Sequence, residues 1–257
     1  CHLSEKSFTD GLAISPGVFG RLGERNSPQL ANVAYKPLFF KDGGIATLEL
    51  QALAPFDAHF EFDLNIVEAV ERLQNDPYYV QRFQEVFEDE PSVYGVTRAL
   101  ASFQRTFVSG NSRYDKHVFQ GKNVLTDAEL NGMALFNSEE LKCAECHSGV
   151  FFTDYSYMNI GLETWYPDSG RARITVNPAD AGKFEVPSLR NVAVTAPYMF
   201  DGRFQTLEEV IDHFASGGVD HRNKSELLTG FSISDAEKAD LIAFLNTLTD
   251  ESFLNNP

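Results

Sequence analysis

Cys143-Ala144-Glu145-Cys146-His147 sets two thiols one helical turn apart, directly ahead of an imidazole. This is C-x-x-C-H, the attachment pattern of a c-type haem. The thiols add across the two vinyl groups of the porphyrin, and on a helical turn both sulfurs reach the same edge of the ring. His147 then lies beneath that ring and supplies the proximal nitrogen to iron. The competing readings are a thioredoxin-like C-x-x-C and half of a zinc site. Zinc needs four ligands, and the 3 cysteines of the chain leave no second pair to complete them.

The sequence around the box is helical. Thr126 and Glu129 form a capping box ahead of Leu130, Met133, Ala134 and Phe136, and that helix runs straight into the haem box. Thr206 with Glu209 and Ser234 with Glu237 predict two more helix starts. The last predicted helix carries Ala239, Leu241, Ile242, Phe244, Leu245 and Leu248. A helix, a C-x-x-C-H loop and a terminal helix packed on the first is the layout of a cytochrome c domain. Upstream, Ile66, Val67, Val70 and Leu73 predict a helix over 63–75, and Pro77 opens another to about Phe87. Val96, Leu100, Phe103 and Phe107 predict a third over 92–108. Residues 109–122 read as a linker. Residues 1–50 are loop-rich, punctuated by glycine and proline. Alternating strand patterns are almost absent. The expected fold is mainly α, in two domains at 1–110 and 111–257, the second of them cytochrome c-like.

Composition sets limits. The 257 residues carry a formal net charge of −16, which disfavours nucleic acid and suits a basic or small redox partner. Hydrophobic residues make up 43% of the chain, enough for a sizeable core, and no apolar run reaches the length of a membrane span. Haem is attached covalently outside the bacterial cytoplasm, so a periplasmic location is expected.

The third cysteine is Cys1, followed by His2. Taken alone, the pair fits the end of a second C-x-x-C-H, a lipid-anchored cysteine or a free thiol.

Several further segments settle that choice. They are Phe8-Thr9-Asp10-Gly11, Arg25-Asn26-Ser27-Pro28, Phe39-Phe40-Lys41-Asp42-Gly43, Gln51-Ala52, Glu61, Pro187-Ser188-Leu189-Arg190-Asn191, Thr195-Ala196-Pro197-Tyr198 and Thr206-Leu207-Glu208-Glu209. In this order and spacing the chain resembles the bacterial di-haem cytochrome c peroxidases, including their MauG-like members, over nearly its whole length. The resemblance makes Cys1 the second cysteine of an N-terminal haem box and His2 its proximal ligand. It implies two cytochrome c-like haem domains packed together and two covalent haems c, the N-terminal one reacting with hydrogen peroxide and the C-terminal one passing electrons. Gln51 and Glu61 match the distal side of the N-terminal haem. Glu61, between Phe60 and Phe62, suits a carboxylate of raised pKa that shuttles a proton during cleavage of the peroxide. Asn26, Thr195 and Pro197 match oxygen ligands of a Ca2+ ion between the haems. The implied partners are a small cytochrome c or cupredoxin donor, or a protein substrate, and the resemblance leaves a homodimer open.

The chain also departs from the family. Val18 stands where many members hold a removable distal His, so the N-terminal iron is expected to be open from the start; His59 is a poor substitute by register. Lys41 replaces the usual inter-haem Trp. Phe214 occupies the usual sixth-ligand position of the C-terminal haem; His213 points about 100° away, and Met158 and Met199 remain chemical substitutes. Trp165 with Tyr155, Tyr157 and Tyr166 reads either as packing or as a route for holes to the surface. Arg171 and Arg173 are candidates for haem propionates. Alternatives to peroxide reduction are MauG-like oxidation of Tyr or Trp in a partner protein, a non-catalytic electron-transfer subunit, and a sensor of diatomic ligands.

Overall fold

The computed structural model describes residues 2–255; Cys1, assigned above to the N-terminal haem box, lies outside them. Twelve α-helices occur among the described residues. The first five are α1 (Leu48–Gln51), α2 (Ala54–Asp57), α3 (Ile66–Gln74), α4 (Pro77–Phe87) and α5 (Val93–Arg105). Then follow α6 (Arg113–Val118), α7 (Asp127–Phe136), α8 (Cys143–Cys146), α9 (Ala172–Thr175), α10 (Leu207–Ser216), α11 (Asp235–Asn246) and α12 (Glu251–Asn255). The one sheet among the described residues pairs β1 (Tyr157–Met158) antiparallel with β2 (Phe184–Glu185), Tyr157 opposite Glu185. The expected mainly α architecture is the one observed. No described helix is long and apolar enough to cross a membrane.

Helix boundaries follow the local chemistry. Pro77 starts α4 where its missing N–H is not needed, while Asp76 accepts from the N–H of Tyr78. All three predicted capping boxes form, at Thr126/Glu129, Thr206/Glu209 and Ser234/Glu237. Two segments depart from the sequence reading. Residues 109–122 are not simply a linker: Ser112 and Asp115 form a fourth capping box and start α6. Asp115 then holds the buried Arg190 through two 2.8 Å hydrogen bonds, so the segment is locked to the C-terminal half. Beyond the predicted last helix, α12 sets Phe253 and Leu254 against Ala31 and Phe107, with Phe8 packed alongside. Phe8 stacks on Phe107 at 4.1 Å between ring centres. Both ends of the described chain thereby share one apolar cluster.

The main core lies between α7, α10 and α11. Phe136, Leu207, Ile211, Leu241, Phe244, Leu245 and Leu248 fill it, and Cys143 and Ala144 pack on its edge. Helices α7 and α11 approach closely because residue 132 is Gly; a Cβ there would overlap the Asp240 carbonyl. Smaller clusters serve the N-terminal half: Val33, Phe39, Leu48 and Ala101 in one, Val70, Phe83 and Val96 in another. The C-x-x-C-H turn is thus carried on a rigid helix pair.

Candidate haem sites and the groups between them

Lys142 adopts a left-handed conformation (φ 56°) and starts the turn of α8; the N–H of His147 closes it on the Cys143 carbonyl at 2.9 Å. The turn opens on a cavity of about 340 Å³ that Cys143, Cys146 and His147 line together. Leu141, Val192, Leu207, Ile211, Leu241 and Leu245 give it apolar walls. Nδ1 of His147 lies 3.1 Å from the Phe152 carbonyl oxygen. A ring bonded to a carbonyl through Nδ1 carries its proton there, which leaves Nε2 a lone pair for a metal. Burial lowers the His147 pKa and keeps the imidazole neutral. Burial also pushes the Cys143 thiol up to about 11 and raises Cys146, and among the described residues no cluster of His, Cys, Asp or Glu supplies the further ligands a zinc site requires. Two neutral thiols, a lone-pair imidazole and an apolar cavity fit a covalently held haem.

Phe214 lines this cavity, as do Met158 and Met199, whereas the Nε2 of His213 is bonded to the Ile160 carbonyl at 2.8 Å. The aromatic side chain at the expected sixth-ligand position is therefore at the site, and His213 is engaged elsewhere.

The N-terminal residues repeat part of this geometry. Nδ1 of His2 lies 2.6 Å from the Phe8 carbonyl oxygen, as His147 pairs with Phe152. Leu3, Leu12, Phe19, Leu22, Leu50, Phe60 and Phe62 of this half are exposed apolar side chains. Oε1 of Gln51 is buried without a hydrogen-bond partner. Such an atom costs about 1–3 kcal/mol unless a ligand satisfies it. Burial raises the pKa of Glu61, the direction that suits a proton shuttle. The loop 17–23 packs on Phe60 and Glu61, and the N–H of Val18 donates to the Glu61 carbonyl at 2.7 Å. His59 is held instead by Arg21 and Asp63 at the surface.

Lys41 lines the His147 cavity with Lys36 and Glu185. Burial and the nearby Lys36 lower the Lys41 pKa to about 8, against the pull of Glu185. Lys36 pairs with Glu185 at 2.7 Å, and the Glu185 N–H donates to the Lys41 carbonyl at 2.8 Å. Glu185 was not singled out from sequence; a carboxylate inside Phe184-Glu185-Val186 was the available signal. Asp42 is buried and receives Arg25 at 2.7 Å and Arg173 at 2.8 Å, and Arg25 also binds Asp168. Arg171 donates to the carbonyls of Asp42 and Gly43. Both arginines considered for propionates are thus bound to the 42–43 turn. Asn26, Thr195 and Pro197 line the same cavity; the Asn26 amide nitrogen donates to the Leu12 carbonyl at 2.8 Å.

A family model described as di-haem cytochrome c peroxidase matches residues 1–124. Over 97% of its length the chain is 36% identical to a cytochrome-c peroxidase, IdrP1, of Pseudomonas sp. (strain SCT), covering 74% of that protein. It is likewise 36% identical to the methylamine utilization protein MauG of Methylorubrum extorquens, over 98% of the chain and 72% of the relative. Among solved structures, a MauG-like protein associated with microbial copper homeostasis superposes with a TM-score of 0.94 at 36% identity, covering 100% of this chain and 84% of that one.

Proposed function

Since the chain belongs to the di-haem cytochrome c peroxidase family, we propose that its N-terminal half, 1–110, carries the peroxide site and its C-terminal half, 111–257, the electron-transfer site. The enzyme is a peroxidase-type oxidoreductase with c-type haem. Cys143 and Cys146 would hold the C-terminal haem with His147 on its iron, and Cys1 and His2 would serve the N-terminal one. When bound, the haems supply an open iron for peroxide and a store of electrons. The residues around them do the rest. Gln51 offers its unpartnered Oε1 to a peroxide O–H and its amide to the other oxygen. Glu61 takes the proton from one peroxide oxygen and returns it to the other, which leaves as water. Val18 places no imidazole in the way. Asn26 and Thr195, through side-chain oxygens, and Pro197, through its carbonyl, suit a bound Ca2+. The setting is the periplasm, and the donor a small cytochrome c or cupredoxin.

The buried, unpartnered Oε1 of Gln51 carries this reading. The test is oxidation of a reduced small cytochrome c by hydrogen peroxide in the holoprotein. Turnover that Gln51→Leu lowers roughly a hundredfold is expected; a holoprotein that leaves peroxide and donor untouched would refute it. Val18 favours a second reading, peroxide-driven oxidation of Tyr or Trp in a partner protein, because the open site needs no prior reduction. Mass spectrometry of co-expressed periplasmic partners after peroxide treatment separates the two.

A further inference from the structure

We propose that Trp165 is a surface oxidation site, at which the protein takes single electrons from donors too large to enter its cavity. The proposal rests on the peroxidase reading above. The loop that carries Trp165 is fixed on both sides. Arg203 binds the Leu162 carbonyl at 3.1 Å and the Glu163 carboxylate at 2.5 Å. Tyr166 is buried, and its hydroxyl accepts from the Leu162 N–H at 2.9 Å. Its ring lies so close to Gly182 (φ 73°) that a Cβ there would collide with it. Between these anchors the only Trp of the chain stands 74% exposed. The ring is thus presented to solvent from a loop whose backbone is anchored on both sides.

The inner side of this loop reaches the His147 site. Tyr166 and Leu162 line the same cavity as Cys143, Cys146 and His147. Phe184 and Phe200, stacked at 4.0 Å, line it too, and Tyr166 lies 6.3 and 6.4 Å from them. An electron leaving Trp165 crosses one chain neighbour to arrive at the cavity wall. The chemistry of the two rings decides where oxidation rests. The Tyr166 hydroxyl donates to the Asn159 side-chain oxygen at 3.1 Å, and an amide oxygen is too weak a base to take its proton. Trp165, exposed to water, can lose its indole proton once the ring has given up an electron. Each cycle moves one electron inward from Trp165 and one proton to water; a donor returns the electron and water the proton. Two cycles supply the two electrons that, with two protons, convert one hydrogen peroxide to two waters. The net charge of −16 favours a basic donor.

The test compares holoprotein of the parent chain with Trp165→Phe, given peroxide and either reduced horse-heart cytochrome c, a bulky basic donor, or the small donor guaiacol. Removal of an exposed ring leaves the fold intact. Oxidation of cytochrome c is expected to fall at least roughly tenfold while guaiacol oxidation stays within about twofold. Peroxide without donor is expected to add oxygen atoms to the tryptic peptide containing Trp165, read by mass spectrometry, and to leave that peptide unmodified in a His147→Gly protein. Unchanged cytochrome c oxidation in Trp165→Phe, or an unmodified Trp165 peptide in the parent chain, overturns the proposal. Failure of the parent chain to consume peroxide with either donor overturns the peroxidase reading beneath it.

Discussion

The backbone N–H of Val18 donates to the carbonyl oxygen of Glu61 at 2.7 Å. Val18, proposed to leave the N-terminal site without a distal imidazole, is thereby tied to Glu61, the proposed proton shuttle. The backbone of the 17–23 loop is thus joined to that of Phe60 and Glu61, and burial raises the pKa of the Glu61 carboxyl.

A first prediction follows for Glu61. A carboxyl must be ionised to accept a proton, so peroxide reduction should fall as pH drops through a pKa above the ordinary Glu value of about 4.3. Glu61→Gln should lower kcat/KM for peroxide by about 10²–10⁴-fold and abolish that acid limb. Stopped-flow measurements across pH check both.

Gln51 gives the opposite signature in stability. Its Oε1 has no partner, so Gln51→Leu removes a buried unsatisfied atom. The melting temperature should stay level or rise while the peroxide reaction slows, a split that a purely structural amide would not show.

Lys41 makes stability depend on alkaline pH. Its folded pKa of about 8 lies below that of an exposed lysine, about 10.4, so the unfolded chain binds more protons between the two. The cost of charging the buried amine is full below pH 8 and fades as pH rises to 10.4. Lys41→Met should therefore raise the melting temperature at pH 7, with a smaller gain at pH 9.5, measured by calorimetry on the holoprotein.

Asp42 answers two guanidiniums from a buried position. Burial pushes its carboxyl up, but Arg25 and Arg173 pull harder and hold it below the usual range. Its contribution is thus present at neutral pH and lost as pH falls through that depressed value. Asp42→Asn leaves Arg25 with Asp168 as its one carboxylate partner and should cost about 1–3 kcal/mol in denaturant unfolding.

Much of the helical frame was legible because its signals are local. Pro77 and three Thr or Ser boxes each mark a helix start within four residues. Helix α6 escaped because it is short and its box uses Asp115 in place of the usual Glu; Ser112-x-x-Asp115 was the readable sign. The C-x-x-C-H site was legible for the same local reason. The Arg25–Asp168 and Arg190–Asp115 pairs were not, since their partners lie 143 and 75 residues apart and nothing local links them. The sixth-ligand question had the same limit: Met158 and Met199 both line the cavity, so spacing along the chain does not separate them.

The central claim is one covalent haem on each of two histidines, and haem content measures it most directly. A pyridine haemochrome assay against protein concentration, on protein from a host competent in haem attachment, should give two haems per chain. His147→Gly with Cys143→Ala and Cys146→Ala should give one. A single haem in the parent chain would remove the N-terminal site and with it the roles of Gln51 and Glu61; none at all would contradict the reading of Cys143–His147 itself.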